Sequence, residues 1–455
     1  MRKSLRIVAL VIPMVLVASN SYAAAKAGST CPKLKMISIS KGKIYTCIKS
    51  GKKLVWDKGA LMTTAQLPSS PEESKSPSPK PTESAPVVIA DPIPSAKSIF
   101  EDPGICQIKS SLEYEANLGY GVSPTFLKST GNLNFAIIFT TYTDAPGDDR
   151  AFEEYTSVQF PIMAKFLSTA SYGKLSISLV TTKKYYNINK SSASYNLMAM
   201  NETSRYAETV VDAVNAAKDD YDFSKIDDVL VVMPSTAKAI DLGSMGTQIK
   251  VGDKTIYQAI NAAYINPSTK ERVKPLFLTH EIGHNLGLLH PLRQDKGYVW
   301  NVMFWEQVPA ADFFGWEKYK LSWINQNQVD CLSTVPSTPV IDYLEATEIA
   351  SSNSKLAVIK LSDSKVLVVE SRRNAGNDSL EPNEEGVLVY VVDSNLKSNM
   401  GSIRLVTNGV RTHNYNGNQL LVANLRAGET TVAEGVKVSV LKQAKSGDFV
   451  SISKP

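Results

Sequence analysis

The sequence has 455 residues, which at roughly 100 to 200 residues per domain argues for two or three domains. Hydrophobic residues make up 43% and charged residues 20%, with no collagen-like period, which excludes fibrous architectures and wholesale disorder. The formal charge is +5, and setting aside Arg2, Lys3 and Arg6, which lie in a segment expected to be removed, leaves +2, a balance that offers a nucleic-acid partner no support.

Those three basic residues precede the apolar run Ile7 to Val17, which leads into Ser21-Tyr22-Ala23, a small-x-small cleavage pattern. Residues 1–23 therefore read as a signal peptide, with an uncleaved N-terminal anchor as the alternative. The run is too short to span a bilayer comfortably, and no later stretch approaches the roughly 20 apolar residues a spanning helix needs. After signal cleavage no transmembrane segment is expected, and the protein should be secreted, extracellular or associated with the cell surface.

Four cysteines, Cys31, Cys47, Cys106 and Cys331, form the even set of an oxidised framework. Three pairings are possible; local closure makes Cys31 with Cys47 the simplest, and Cys106 with Cys331 follows by elimination. Residues 24–60 are expected to form a small disulfide-stapled N-terminal module, within which the segment Cys31 to Gly59 closes a basic stretch with Lys53-Leu54-Val55-Trp56-Asp57-Lys58-Gly59. In Tyr45-Thr46-Cys47-Ile48-Lys49 and Leu54-Val55-Trp56 this segment resembles small two-cysteine modules of secreted actinobacterial proteins, which implies attachment to a cell wall or surface. A disulfide-stapled spacer is the other reading. A linker is expected over 61–98, because twelve of the nineteen residues from Pro68 to Pro86 are Pro or Ser.

Regular patterning resumes near Cys106. Leu133 to Phe139 and Val229 to Met233 are apolar strands of the fully buried kind, and between them Tyr206, Val210, Val214 and Ala217 recur at helical spacing. Residues 99–335 thus read as one domain of mixed strands and helices, an α+β fold. Past Pro336, short β-rich runs (Leu356 to Leu361, Lys365 to Ser371, Val387 to Val392, Ile403 to Thr407, Val436 to Leu441, Phe449 to Ile452) are separated by Gly, Asn, Asp and Ser. Residues 336–455 are expected to form an all-β, sandwich-like domain with an accessory role.

The chemistry lies in Thr279-His280-Glu281-Ile282-Gly283-His284-Asn285-Leu286-Gly287-Leu288-Leu289-His290. Pro275 suits a helix's first turn, and Leu278, Ile282 and Leu286 form an apolar stripe facing away from His280 and His284. Those two histidines share a face, and their imidazoles can converge on one ion, for which Zn²⁺ is suited. A continued helix would carry His290 past the ion, so the chain must turn back, and Gly287 can adopt the positive φ required. Three protein ligands leave an open position, the catalytic arrangement of zinc, and no cysteine lies nearby to close it. Glu281, one residue after the first ligand, is placed to act as general base. The chain has four histidines, and three fall at offsets 0, 4 and 10 by chance with odds on the order of one in ten thousand. His413 sits among Asn and Gly and is expected in a solvated loop.

From His280 to His290 the chain resembles the metzincin zinc metallopeptidases, whose pattern H-E-x-x-H-x-x-G-x-x-H is complete here. The nearest likeness is to secreted gametolysin-like and immune inhibitor A-like proteases, over about 130–395. The stretches in question are Ser171-Tyr172-Gly173-Lys174-Leu175, Phe314-Gly315-Trp316 with Leu321-Ser322-Trp323-Ile324, and Val369-Glu370-Ser371-Arg372 followed by Gly386-Val387-Leu388-Val389-Tyr390. The resemblance implies a metzincin-like catalytic domain over 99–335 and a methionine turn at Met303. It departs from the pattern at Trp305, where some members carry tyrosine, and at Phe304, where glycine is frequent. Cysteine latency in related proteases suggests Cys106 as a cap on the metal, but the even count gives it a partner in Cys331. The function implied is a secreted zinc endopeptidase that hydrolyses a protein or peptide substrate through a zinc-activated water with Glu281 as base. The alternative is a surface-binding or adhesion protein that retains an inactive zinc-protease domain. A calcium ion at Asp144, Asp148 and Asp149 is conceivable, though a solvated turn reads better there.

Overall fold

The computed structural model describes residues 26–31, 37–40, 43–58, 60–61, 91–112, 115–148, 150–195, 203–238, 243–263, 274–292, 300–304, 312–381, 384–406, 411–415 and 418–455. The signal-peptide segment and linker residues 62–90 lie outside them. The chain divides into two compact units, Met1–Pro86 and Val87–Pro455.

In the first unit, β1 (Ile37–Ser40), β2 (Lys43–Ser50), β3 (Lys53–Trp56) and β4 (Ala60–Leu61) pair antiparallel, with β2 contacting each of the others. So few residues bury little apolar surface, and the Cys31–Cys47 disulfide packed against buried Trp56 supplies the staple.

The second unit begins on a six-stranded sheet of β5 (Gly131–Tyr142), β6 (Leu175–Val180), β7 (Tyr185–Ile188), β8 (Asp228–Met233), β9 (Gly243–Val251) and β10 (Lys254–Ala263), in the order β6-β5-β8-β10-β9 with β7 also on β5. All pairs are parallel except β9 with β10, so β9 is an antiparallel edge. Strand β5 is buried on both faces, as its unbroken apolar run requires. Phe135, Ile137 and Phe139 enter one core and Ala136 and Ile138 the other. The first core is closed by α1 (Arg150–Glu153), which continues through a π-helical turn at Glu154–Gln159 into α2 (Phe160–Ala170), and by α4 (Phe277–Asn285). The second is closed by α3 (Thr203–Ala217), through Val210, Val214 and Ala217. The short α5 (Gly315–Lys320) follows α4.

The remaining strands are β11 (Val329–Leu332), β12 (Val340–Glu345), β13 (Leu356–Lys360), β14 (Lys365–Arg372), β15 (Gly386–Asp393), β16 (Ile403–Leu405), β17 (Arg411–Tyr415), β18 (Asn418–Val422), β19 (Thr430–Ala433), β20 (Val436–Gln443) and β21 (Gly447–Ser453). A five-stranded sheet β11-β13-β14-β15-β16 faces a four-stranded sheet β12-β21-β20-β19, and β17 pairs with β18. The expected sandwich is present, but it is not a separate appendage. Alternate residues of the five-stranded sheet, Ala357, Ile359, Leu367, Val369, Val387 and Val389, pack on the second sheet. The residues between them, Leu356, Val358, Val366, Val368, Leu388 and Tyr390, pack on Cys106, Trp300, Phe314 and Trp316. Strand β11 precedes the expected boundary at 335 yet pairs with β13 beyond it. The textural change near Pro336 marks a change of local pattern inside one continuous core. The end of the expected linker is likewise pinned: Ser95 N–H donates to Ile341 O at 2.7 Å, and Lys97 Nζ meets Asp330 at 2.5 Å. Among the described residues the chain is α+β, with many strands and few helices.

Candidate metal centre

Helix α4 forms two residues later than the proline suggests: Pro275 sits in a preceding turn, where Phe277 N–H donates to Lys274 O at 3.0 Å. Leu278, Ile282 and Leu286 are fully buried in the first core, which holds the opposite face of the helix in place. That face carries His280, 4% exposed, and the half-buried His284, with Glu281 at 6% exposed between them. The helix ends where Gly287 N–H donates to His284 O and Leu288 N–H to Gly283 O, both at 2.9 Å. This is a Schellman pair, closed by Gly287 at φ +88°. The turn reverses the chain and delivers His290.

The three Nε2 atoms converge: His280 to His290 is 3.0 Å, and His284 lies 3.1 Å from each. A tetrahedral ion at about 2.0–2.1 Å, the zinc–imidazole distance, holds its nitrogens about 3.3–3.4 Å apart, so the spacing fits within a few tenths of an ångström. The opposite ring nitrogens reinforce the fit. His280 Nδ1 lies 3.0 Å from Val302 O and His284 Nδ1 lies 2.9 Å from Leu288 O. A carbonyl only accepts, so each Nδ1 carries the proton and each Nε2 is left with a bare lone pair. Lone pairs facing one another repel; a cation resolves this. Burial, then the His290 ring, holds His280 down at about 4, and burial with the two neighbouring rings holds His284 well below its ordinary range. Both rings are therefore kept neutral, as ligation requires. His290 is held from the other side: its N–H donates to Ser398 Oγ at 3.1 Å, its carbonyl accepts from Asn399 N–H at 2.9 Å, and its Nδ1 lies 3.3 Å from Asn399 Nδ2.

Met303 is fully buried beneath the helix. A Cβ on Gly283 would fall 2.2 Å from its sulfur, so the glycine between the histidines is what admits the methionine. The turn that carries Met303 also carries Val302, the carbonyl partner of His280. Asn301, at φ 103°, shapes it by accepting from Met303 N–H at 2.6 Å and donating to Glu317 at 2.5 Å. Phe304 follows as a partly buried residue; Trp305 lies outside the described residues. Glu317 belongs to α5, whose first N–H, from Gly315, donates to Glu370 Oε2 at 2.7 Å. Glu370 in turn meets Arg372, and Arg372 meets Glu348 and Asp378, all fully buried at the ion-pair atoms. The structure thereby gathers the separate stretches of the sequence. Tyr172 donates to Thr347 O, and Lys174 Nζ reaches Ser322 O at 2.9 Å and Trp323 O at 2.6 Å.

Cys106 is bonded to Cys331, and no cysteine is free, so no thiol is available as a cap. Asp144 accepts from Ser191 and Ser192, and Asp148 from Arg150, while Asp149 lies outside the described residues; among the described residues the histidine trio forms the one candidate metal cluster. His413 is not in a loop: its backbone lies in β17, opposite Leu420. Of the Asn and Gly neighbours that suggested a loop, Asn414 lies in β17 opposite Gln419 and Asn418 in β18 opposite Tyr415. Sequence reading missed Gly283, Asn301, Ser398 and Asn399. A glycine inside the histidine helix and an asparagine two residues before Met303 were usable signals for the first two; nothing local marks the last two, more than 100 residues from His290.

No protein-family profile matches the sequence, and no curated protein matches it. Among solved structures the chain is similar to wild-type OgpA from Akkermansia muciniphila in two crystal forms. One is 13% identical over 62% of this chain and 92% of that chain, the other 11% identical over 67% and 96%, each with a TM-score of 0.27. At that TM-score the likeness carries no argument about fold or activity. No helix among the described residues is long and apolar enough to cross a membrane.

Proposed function

We propose that this protein is a secreted, metzincin-like zinc endopeptidase. The observation that carries the reading is the convergence of three imidazole Nε2 atoms within 3.1 Å, two of them stripped of protons by backbone carbonyls, with a buried glutamate on the same helical turn. Neutral nitrogen donors without a thiolate suit a catalytic zinc with an open position. When bound, zinc would supply Lewis-acid polarisation of the scissile carbonyl and lower the pKa of a water. Glu281 accepts the proton of the attacking water and returns it to the departing amine. Strand β9, at the end of the six-stranded sheet among the described residues, packs against α4, and an extended peptide added there as a further strand would lie beside the histidine helix. The two disulfides support an oxidising, extracellular setting, and the stapled N-terminal module suits surface attachment.

The test separates catalysis from binding. Glu281→Gln keeps size and all three ligands, so zinc measured by elemental analysis should stay near one per chain while hydrolysis of a broad peptide library falls by about 10² to 10⁴ or more. His284→Ala should lose zinc and activity together. A zinc-loaded native chain that cleaves nothing, yet binds a cell surface equally well with Glu or Gln at 281, would establish the adhesion reading instead.

A further inference from the structure

Every ring nitrogen that faces a metal has a back side, and what the back side meets decides whether the front can ligate. His280 and His284 turn theirs to the carbonyls of Val302 and Leu288, groups whose role is unambiguous. His290 turns its Nδ1 to the side-chain amide of Asn399, which is not. An amide has two ends of nearly the same shape. With Nδ2 toward the ring, as it stands at 3.3 Å, the amide donates and the ring proton is driven to Nε2, which then cannot ligate. A half turn about the Cβ–Cγ bond presents Oδ1 instead, draws the proton to Nδ1 and bares Nε2.

We propose that Asn399 is a positioning residue for the third ligand: its amide oxygen accepts from His290 Nδ1 in the metal-bound protein, so the loop between β15 and β16 completes a centre otherwise built from α4 and its turn. This rests on the reading of the histidine trio as a metal site. Three features set Asn399 in place. Its own N–H donates to His290 O at 2.9 Å, and the neighbouring Ser398 Oγ accepts from His290 N–H at 3.1 Å. Two residues past Gly401, Ile403 N–H donates to Pro291 O at 2.9 Å, fixing the other end of the loop to the same segment. And Asn399 holds φ 64°, the left-handed conformation that asparagine tolerates better than most residues and that directs its short amide back onto the ring.

The positive φ also supplies a clean variant, since glycine keeps that backbone and removes only the amide. The experiment is a competitive titration of the full-length, disulfide-bonded protein with Zn²⁺ against a chromophoric chelator, and the visible spectrum of the Co²⁺ form, for the native chain, Asn399→Gly and Asn399→Asp. Asn399→Gly should bind Zn²⁺ about 10- to 100-fold more weakly and shift the Co²⁺ bands, with an unchanged metal-free melting temperature. Asn399→Asp, whose carboxylate can only accept, should bind at least as tightly as the native chain. Native-like affinity and spectrum in Asn399→Gly would overturn the proposal, as would Asn399→Asp weakened as far as Asn399→Gly. A native chain that takes up no metal would overturn the metal reading itself, a result distinct from either.

Discussion

At Gly283 the missing side chain is the reason Met303 can sit where it does, its sulfur 2.2 Å from where a Cβ would be. Alanine there gains about 1 kcal/mol in helix propensity but overpacks a fully buried contact, which typically costs about 1 to 3 kcal/mol. Gly283→Ala should therefore be destabilised in urea denaturation, and much less so in a Met303→Ala background; additive effects would mean the two residues do not compete for one space. Glu317 tells a different story. Burial pushes its carboxyl up to about 8, above the ordinary 4.5, so the folded protein holds a proton that the unfolded chain has lost between those values. Stability should fall as pH rises through that window, by at most about 1.4 kcal/mol per pH unit, and Glu317→Gln should flatten the slope. Melting curves from pH 5 to 8 decide it; an identical slope in the variant would show that another group is responsible.

The Schellman turn after α4 is an element whose one requirement, a residue at φ +88°, was visible as a glycine at the right offset. Gly287→Ala must pay the left-handed penalty of about 1 to 2 kcal/mol and meets Phe126 at 3.0 Å. Because Leu288 O and His290 both hang from this turn, zinc affinity should drop along with the melting temperature; unchanged affinity would show that the ligand is held entirely by the 394–402 loop. Strands β5, β8, β13, β14 and β15 were equally legible, because buried strands carry unbroken apolar runs. Strand β12 was not. It turns Asp342 and Glu345 inward, the latter against buried Lys355 at 2.8 Å, and those charges erase the apolar pattern that marks a strand.

At the scale of the molecule, residues 336–455 share a core with the residues before them, for a reason already present in their composition. Runs such as Val387-Leu388-Val389-Tyr390-Val391-Val392 are apolar on both faces, and a sheet that is apolar on both faces must be covered twice. One cover is the second sheet; the other is the core of Trp300, Phe314 and Trp316 beside the turn that carries Met303. A chain ending near Pro336 should consequently give no protease-resistant core and no native circular dichroism. A folded, zinc-binding product would show the two parts separable after all.

Local covalent rules set what the sequence alone determined. A helix places residues four apart on one face, a glycine permits a reversal, and four cysteines allow few pairings, so the histidine trio His280, His284 and His290, the neighbouring Glu281 proposed as base and the turn at Gly287 follow from spacing. What holds those groups in working geometry was decided only in the tertiary structure: the carbonyl behind His280, the amide behind His290, the glycine that admits Met303, and the sheet that buttresses α5. Those partners arrive from as far as 109 residues away, and a contact between distant segments is a product of the packed core, which no local spacing encodes.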